Sequence, residues 1–247
     1  MTIVLATKNV NKTFGSVVAA HDINVTVSRS ERLGLIGTNG AGKTTFVNIV
    51  TGYIKPDSGT IHLEGREITG HTPRSITREG VCRSFQVPQL FLTLTAEQNL
   101  AVALGIANGQ ALSPYAKLDA KMQQEVENLL ERFRIGDYRD QVISELPGGV
   151  RKLIDIAVAV TRKPKVLLLD EPTSGVAAEQ KFALMDIVMS ALESDVTVLF
   201  VEHDMDIVSR YAQRVLAFYD GRIIADDIPK SVLENEMVRT HITGTAG

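Results

Sequence analysis

The stretch Gly-Thr-Asn-Gly-Ala-Gly-Lys-Thr at Gly37–Thr44 follows an apolar run at Leu33–Ile36 and leads into Thr45–Val50. The apolar run predicts a buried strand, and the residues after the stretch predict the first turns of a helix. The spacing G-x-x-x-x-G-K-[ST] between a strand and a helix is typical of the P-loop, whose backbone N–H groups surround phosphate oxygens. This order of elements predicts an α/β fold organised around a nucleotide-binding loop.

The loop residues have separate expected roles. We expect the Lys43 ammonium to reach the β- and γ-phosphates and the Thr44 hydroxyl to bind Mg²⁺. The positive end of the helix that begins near Lys43 favours the same anionic groups. The residues of this region that we predict to contact nucleotide are Gly37, Thr38, Asn39, Gly40, Ala41, Gly42, Lys43, Thr44 and Thr45.

Composition restricts the remaining classes. The chain has 247 residues, 44% of them hydrophobic and 22% charged, with a formal net charge of −3. This balance is ordinary for a globular protein and gives no basic footprint for nucleic acid. The single cysteine, Cys82, excludes an intramolecular disulfide, and we expect it to be a small core residue. The first residues lack the pattern of a secretory signal, and no apolar run reaches the ~18 residues of a membrane span.

The first third of the chain predicts mainly strands. Residues 3–32 alternate like half-exposed strands, with a turn expected at Asn11–Ser16. Glu64-Gly65 is a candidate hairpin turn, and a short helix is expected after Pro73. The segment Val81–Val87 predicts a strand that ends at Gln86.

From Pro88 the pattern becomes helical. Helices are predicted over 95–108 and 119–134, and the loop Gly105–Pro114 has no predicted course. The second helix carries its apolar face at Met122, Val126, Leu129, Leu130 and Phe133. Strands are then predicted at 166–169, 196–201 and 214–219, with helices between them, a buried stripe of Leu184, Ile187, Val188 and Ala191, and one weak helix within 229–247.

Acidic and polar side chains follow the predicted inner strands. Asp170 and Glu171 follow a continuous apolar run, at the strand end where α/β sheets bind ligands. We expect Asp170 to hold the Mg²⁺ shell and Glu171 to orient and deprotonate the attacking water. His203 follows another apolar strand and is placed to reach the γ-phosphate and Glu171, and the Gln86 amide offers an oxygen to Mg²⁺ or to water.

A second glycine pair opens a predicted helix. Leu146-Pro147-Gly148-Gly149-Val150 precedes an apolar helical segment. Taken alone, this pattern indicates a loop–helix junction whose backbone N–H groups are available to an anion.

Together these motifs resemble those of the ATP-binding subunit of ABC transporters, and the resemblance covers nearly the whole chain. Gly37–Thr44 is similar to the Walker A motif, Val166–Glu171 to Walker B with its catalytic glutamate, Gln86 to the Q-loop and His203 to the H-loop. Phe14 stands where the family has its adenine-stacking aromatic residue. The resemblance implies that Leu146, Pro147, Gly148 and Gly149 contact the ATP of a partner cassette as the signature motif.

The signature and its surroundings depart from the family pattern. Pro147 replaces the signature serine and has no hydroxyl and no N–H to offer a phosphate. Val150 replaces the signature glutamine, and Ala177 stands where the D-loop has Asp or Asn. We expect weaker closure or slower turnover, with hydrolysis retained because Glu171 and His203 are present.

The implied fold is a P-loop NTPase of the ABC cassette type, with a RecA-like core, an antiparallel β subdomain and an inserted helical subdomain. The core and β subdomain are expected over about 1–87 and 161–247, and the helical subdomain over about 88–160. The implied cofactors are ATP and Mg²⁺. The implied partners are a second cassette, identical or not, transmembrane permease subunits at the cytoplasmic face of the membrane, and indirectly a periplasmic solute-binding protein.

Within the family, the segments Gly80–Gln86, Phe91–Leu100 and Val201–Met205 resemble importers of branched-chain amino acids and related amide or urea solutes. Lipopolysaccharide-export ATPases are the nearest alternative. Two further alternatives are a regulatory cassette with little turnover and a soluble ABC ATPase acting on nucleic acid or ribosomes. The mildly acidic charge and the single cassette disfavour the soluble ATPase, so no nucleic-acid partner is expected. A small-molecule kinase or GTPase is disfavoured because no substrate lid and no N-K-x-D motif is found.

Overall fold

A computed structural model describes residues 2–109 and 118–244. Of these, one compact unit comprises the residues up to Cys82, Lys165–Leu168 and the residues from Ser194 onward. The other unit comprises Arg83–Pro164 and Leu169–Glu193. The subdomain bounds expected from the sequence stay a prediction.

The chain begins with three successive strands, and strands and helices are mixed along the rest of it. The strands are β1 (Ile3–Phe14), β2 (Val17–Ser28), β3 (Arg32–Gly37), β4 (Ser58–Leu63), β5 (Arg66–Glu67), β6 (Val81–Ser84), β7 (Val166–Asp170), β8 (Thr197–Val201), β9 (Arg214–Tyr219) and β10 (Arg222–Asp227). The helices are α1 (Lys43–Val50), α2 (Pro73–Glu79), α3 (Ala96–Ala107), α4 (Ala120–Arg132), α5 (Gly148–Val160), α6 (Ala178–Ala191), α7 (Met205–Tyr211), α8 (Pro229–Glu234) and α9 (Glu236–Val238). Short 3₁₀ turns lie at Gly136–Tyr138 and Ile143–Glu145, and a π-helical turn lies at Arg239–Thr243.

A four-stranded antiparallel sheet has the order β2-β1-β4-β5. Side chains alternate between buried and exposed from Ile23 to Val27 of β2, as expected for a sheet with one solvated face. The strand β1 continues to Phe14, and the turn into β2 begins only at Gly15, which takes a positive φ of 60°. The turn predicted at Asn11–Ser16 is therefore wrong for Asn11–Phe14, which form the end of β1.

A six-stranded sheet has the order β10-β9-β3-β8-β7-β6. β3 pairs in parallel with β8 and β9, and β9 joins β10 through a hairpin turn. Asp220 and Gly221 of that turn have φ of 49° and 70°, as a type I′ turn requires. Every residue of β7 and β8 is buried, which confirms the prediction of inner strands from continuous apolar runs.

The apolar core of the first unit surrounds the helix that follows the P-loop. Phe46 of α1 is fully buried, and its ring centre lies 5.6 Å from that of Phe218 in β9. An aromatic side chain buried this completely contributes about 1.5–3 kcal/mol to the free energy of unfolding. The P-loop thus leads directly into a helix that belongs to the buried core of this unit.

The second unit contains the two helices predicted over 95–108 and 119–134, which are observed as α3 and α4. Thr95 and Gln98 form a capping box at the start of α3, and Asp119 caps α4. The predicted apolar face is confirmed, because Met122, Val126, Leu129, Leu130 and Phe133 are all buried. In α6 the buried stripe includes Met185, whereas Ile187 is only partly buried. Residues 110–114 of the loop without a predicted course lie outside the described residues.

Two strand and helix ends differ from the sequence prediction. β6 ends at Ser84 rather than Gln86, because the Ser84 hydroxyl and the Phe85 N–H donate to the Asp155 carboxylate. The C-terminal part forms α8, α9 and the π-helical turn instead of one weak helix, and Asn235 caps α9 with its side chain. No helix of the described residues is long and apolar enough to cross a bilayer.

Candidate active site

The P-loop connects the end of β3 to the start of α1. Lys43 is buried, and its ammonium donates to the carbonyl oxygens of Gly37 at 2.6 Å and Thr38 at 2.9 Å. Thr38 and Thr44 are exposed. The loop therefore holds a positive charge at the N-terminus of a helix, which is the arrangement that binds phosphate.

Packing within the same unit fixes the shape of the P-loop. Gly37 has a φ of 150°, and a Cβ there would lie 2.4 Å from the Phe218 carbonyl oxygen. Gly42 has a φ of 107°, and a Cβ there would lie 2.6 Å from the Ala19 carbonyl oxygen. Since no Cβ is tolerated at such distances, the backbone of β2 and β9 packs directly against the loop.

Phe14 lies at the exposed end of β1, where it pairs with Val17 across the hairpin. Its side chain is 48% exposed, and the Lys12 ammonium lies 5.4 Å from the ring centre. The contact between Ala19 and Gly42 brings this hairpin beside the P-loop. An exposed aromatic ring beside a phosphate loop can stack on a base.

Asp170 is the last residue of β7 and is buried. Its carboxylate accepts a hydrogen bond from the Arg83 guanidinium at 2.5 Å, and both side chains are less than 10% exposed. The guanidinium carbon also lies 4.9 Å from the Phe85 ring centre. Sequence reasoning missed Arg83; its position three residues before Gln86 is the only signal that the sequence offers.

Glu171 and Gln86 are brought together. The Gln86 side-chain amide donates to the Glu171 carboxylate at 2.8 Å. Glu171 has a φ of 48°, a backbone conformation that non-glycine residues rarely adopt and that is common at functional sites. A carboxylate whose position is fixed by an amide in this way can orient a water molecule that donates to it.

His203 follows β8 and is exposed. Its backbone N–H donates to the Glu202 carboxylate at 3.3 Å, and Asp204 then caps α7. His203 belongs to the first unit and Glu171 to the second, so the expected bridge between them stays a prediction.

The signature-like residues open α5. Leu146 is buried, Pro147 is the N-cap without a side-chain cap, and α5 begins at Gly148. A Cβ at Gly148 or at Gly149 would have its nearest contact at 3.9 Å, and neither residue has a positive φ.

Two charged residues of α5 that sequence reasoning did not assign contact the backbone around Gln86. Lys152 is buried and donates to the carbonyl oxygens of Phe85 and Gln86. Asp155 is also buried, and burial raises the pKa of its carboxyl, against the opposing effects of its hydrogen bonds and of Lys152. The signal was present, because Asp155 interrupts an otherwise apolar helix face.

The oxygen donors expected for Mg²⁺ fit that ion chemically. A hydroxyl at Thr44, a carboxylate at Asp170 and an amide oxygen at Gln86 are hard ligands, which Mg²⁺ prefers alongside phosphate oxygens and water.

A comparison with family models matches residues 20–174 to the ABC transporter family. A probable branched-chain amino acid transport ATP-binding protein, LivG of Archaeoglobus fulgidus, is 31% identical over 242 residues, covering 95% of this chain and 93% of the relative. The high-affinity branched-chain amino acid transport ATP-binding protein BraF of Pseudomonas aeruginosa is 32% identical, with 98% of each chain covered.

A solved structure shows the same fold. The ADP conformation of MJ1267, an ATP-binding cassette of an ABC transporter, matches with a TM-score of 0.85 and 30% identity, over 99% of this chain and 100% of that one. The match covers both units, and it confirms the predicted ABC cassette fold. The chain therefore belongs to the ABC transporter family, in which it is an ATP-binding subunit with ATPase activity.

Proposed function

We propose that the chain hydrolyses Mg²⁺-bound ATP at a site shared with a second cassette, and that this powers solute import through membrane subunits. The residues proposed to bind ATP are Phe14, Gly37, Thr38, Asn39, Gly40, Ala41, Gly42, Lys43, Thr44 and Thr45. The proposed metal ligands are Thr44, Gln86 and Asp170, and the proposed catalytic residues are Glu171, His203 and Gln86.

The observation that carries the hydrolytic part is the hydrogen bond between Gln86 and Glu171. The amide donates to one carboxylate oxygen at 2.8 Å, and we propose that the Glu171 carboxylate held in this way accepts a proton from the attacking water. Mg²⁺ supplies charge neutralisation at the phosphates when it is bound. Lys43 adds positive charge where negative charge develops as the terminal phosphate departs.

The open face of α5 supports a shared site. Gly148 is exposed and Gly149 is partly buried at the start of this 13-residue helix, and the nearest atom to an added Cβ at either residue is 3.9 Å away. Such a helix start attracts phosphate through its backbone N–H groups. We therefore propose that Leu146, Pro147, Gly148 and Gly149 face the ATP bound by the partner cassette.

The proposed solute is a branched-chain amino acid or a related amide or urea compound. The support is the naming of LivG and BraF, whose likeness extends over almost the whole chain. The proposed partners are a second cassette, transmembrane permeases and, indirectly, a periplasmic solute-binding protein, with the chain held at the cytoplasmic face of the membrane.

The proposed docking surface for the permeases is an apolar groove in the second unit. It is lined in part by Gln86, Val87, Leu90 and Leu92. Val87 is 69% exposed and Leu92 is 52% exposed, which is unusual for large apolar side chains that face only water. An apolar loop of a membrane subunit would cover these side chains.

The hydrolytic part is tested with the purified chain and two variants. We expect Glu171→Gln to lower the ATPase rate by about a hundredfold or more while nucleotide still binds, and Lys43→Ala to weaken binding itself. Equal rates for the parent and Glu171→Gln would remove Glu171 from the mechanism. Removal of Mg²⁺ with EDTA should abolish the parent rate.

The transport part is tested in proteoliposomes that contain the chain, the permeases encoded beside it and the corresponding binding protein. We expect leucine-loaded binding protein to stimulate ATP hydrolysis. Stimulation by binding protein loaded with urea or a short amide would instead identify the solute as the amide or urea member of the proposed class. Failure of the permeases to co-purify with the chain would contradict the transport role.

A further inference from the structure

Helix α5 buries two charged side chains three residues apart. Lys152 is 3% exposed and Asp155 is 4% exposed. Fully buried lysines and aspartates are rare, because the charge loses its hydration and must be compensated by specific partners. The choice of charged residues at these two positions therefore needs a cause beyond packing.

Both side chains bind the segment that carries Gln86. The Lys152 ammonium donates to the carbonyl oxygens of Phe85 at 3.0 Å and Gln86 at 2.6 Å. The Asp155 carboxylate accepts from the Ser84 hydroxyl at 2.8 Å, the Phe85 N–H at 3.2 Å and the Gln89 N–H at 2.9 Å. We call these five hydrogen bonds the Lys152–Asp155 clamp.

The clamp holds Gln86 by its backbone and leaves its side chain available. The Gln86 residue is exposed, and its amide reaches Glu171. Hydrogen bonds to charged groups are stronger than those between neutral groups, and buried ones constrain geometry closely. The position of the Gln86 amide therefore depends on α5.

The same helix begins at Gly148, one turn before Lys152. A helix is stiff over one turn, since successive backbone hydrogen bonds link its residues. A displacement of the signature-like residues is thus carried to the carbonyl oxygens of Phe85 and Gln86.

We infer that Lys152 and Asp155 are positioning residues for the hydrolytic reaction: they fasten Gln86 to the signature helix and so set its amide against Glu171. This inference rests on the proposed function, in which Gln86 and Glu171 act on the ATP of their own P-loop. The inference gives Lys152 and Asp155 no direct contact with the nucleotide or the attacking water. Their effect on hydrolysis passes through Gln86.

The test is a double-mutant cycle between Lys152→Met and Gln86→Ala, with kcat and nucleotide affinity measured for the parent, both single variants and the double variant. Lys152→Met should lower kcat by about tenfold or more and change the Kd for ATP by less than about threefold. In the Gln86→Ala background it should change kcat by less than about twofold, because the amide that it positions is gone. A further tenfold loss in that background would overturn the inference.

A matched control comes from Asn99, another buried polar residue of the same unit that holds a backbone segment. Its amide accepts from the Phe91 N–H at 2.9 Å and donates to the Phe91 carbonyl oxygen at 3.1 Å. Asn99→Leu should destabilise the protein while leaving kcat within about twofold of the parent. If Asn99→Leu lowered kcat as much as Lys152→Met does, the loss in Lys152→Met would be explained by reduced stability alone, and the inference would be overturned.

Asp155→Asn provides a variant with nearly unchanged shape in case Lys152→Met does not fold. Phe85 N–H and Gln89 N–H donate to different oxygens of Asp155, and an amide keeps only one acceptor oxygen, so at least one of these two N–H groups should exchange with solvent at least about tenfold faster. Exchange in Gly37–Thr44 should stay as in the parent, and kcat should fall. Unchanged exchange at Phe85 and Gln89 would contradict the clamp directly.

The outcomes separate this inference from the function on which it rests. A parent without ATPase activity, or one unaffected by Glu171→Gln, overturns the proposed function and the clamp's role with it. A parent that hydrolyses ATP through Glu171 but gives an additive Lys152–Gln86 cycle overturns the clamp alone.

Discussion

The chain has two glycine-rich loops at helix starts, and they differ in whether the fold itself requires glycine there. In Gly37–Thr44, positive φ angles and backbone atoms 2.4 Å and 2.6 Å from an added Cβ exclude any other residue at Gly37 and Gly42. At Gly148 and Gly149 the nearest contacts would be 3.9 Å away, and φ is not positive. The first loop needs glycine for its own fold, whereas the second does not.

The difference fits the proposal that the first loop forms its site within one chain and that the second loop contributes to a site completed by another molecule. The P-loop is shaped by β2 and β9 of its own unit and carries its own cation, Lys43. At the start of α5, the described residues leave room for a Cβ at either glycine, with the nearest atom 3.9 Å away. Since the fold of the chain does not require glycine at these two positions, we propose that a ligand does, namely the phosphate of a nucleotide held by a partner cassette.

The largest effect is expected at the P-loop. Gly37→Ala places a methyl group against the Phe218 carbonyl oxygen, so the free energy of unfolding should fall by about 3 kcal/mol or more. Urea denaturation measures this loss. Gly40→Ala is the control, because Gly40 also has a positive φ, of 80°, but has nothing within 4 Å of an added Cβ. Equal losses in the two variants would mean that packing does not shape the loop.

The opposite pattern is expected at the second loop. Gly149→Ala should raise the free energy of unfolding by up to about 1 kcal/mol, because alanine favours a helix over glycine. The ATPase rate should nevertheless fall by about tenfold or more, since the methyl group occupies the space proposed for phosphate. Gly136→Ala, at a glycine of the same unit with nothing within 4 Å, should leave the rate unchanged. An unchanged ATPase rate for Gly149→Ala would contradict the proposal that a phosphate occupies the space beside Gly149.

The contrast also explains what sequence alone could and could not predict. The P-loop, the apolar inner strands and the α4 face followed from local patterns, because each is determined by neighbouring residues. The end of β6 did not, since Asp155, seventy residues further on, takes the Phe85 N–H. The pairing of Arg83 with Asp170 likewise joins residues far apart in the chain, and no spacing rule connects them.

Pro147→Ser tests whether the second loop has lost function through its departure from the family pattern. Serine at the N-cap can accept a hydrogen bond from the first turn of α5, so the free energy of unfolding should rise by about 1 kcal/mol. The ATPase rate should not fall, because proline offers the phosphate neither a hydroxyl nor an N–H. A marked drop in rate would show that Pro147 has a role that its chemistry does not reveal.

The smallest effect concerns Asp57, which holds the β1 end beside the P-loop from within the same unit. Its carboxylate accepts from the Lys12 ammonium at 2.6 Å and from the Thr13 N–H at 2.7 Å. These bonds, led by that of Lys12, lower the pKa of Asp57 from 3.8 to about 2. The folded-state pKa lies below the unfolded value, so the ionised carboxylate stabilises the fold above the unfolded pKa, and this contribution is lost as pH falls through about 2.

Asp57→Asn should therefore flatten the acid side of the stability curve without moving its neutral part by much, because the group is exposed to solvent. Unfolding midpoints in urea at about pH 5, about pH 4 and about pH 3 measure the slope. Lys12→Met should act in the same direction by removing the strongest of the carboxylate's partners. If Asp57→Asn kept the full parent slope, the end of β1 that carries Phe14 would not depend on this ion pair.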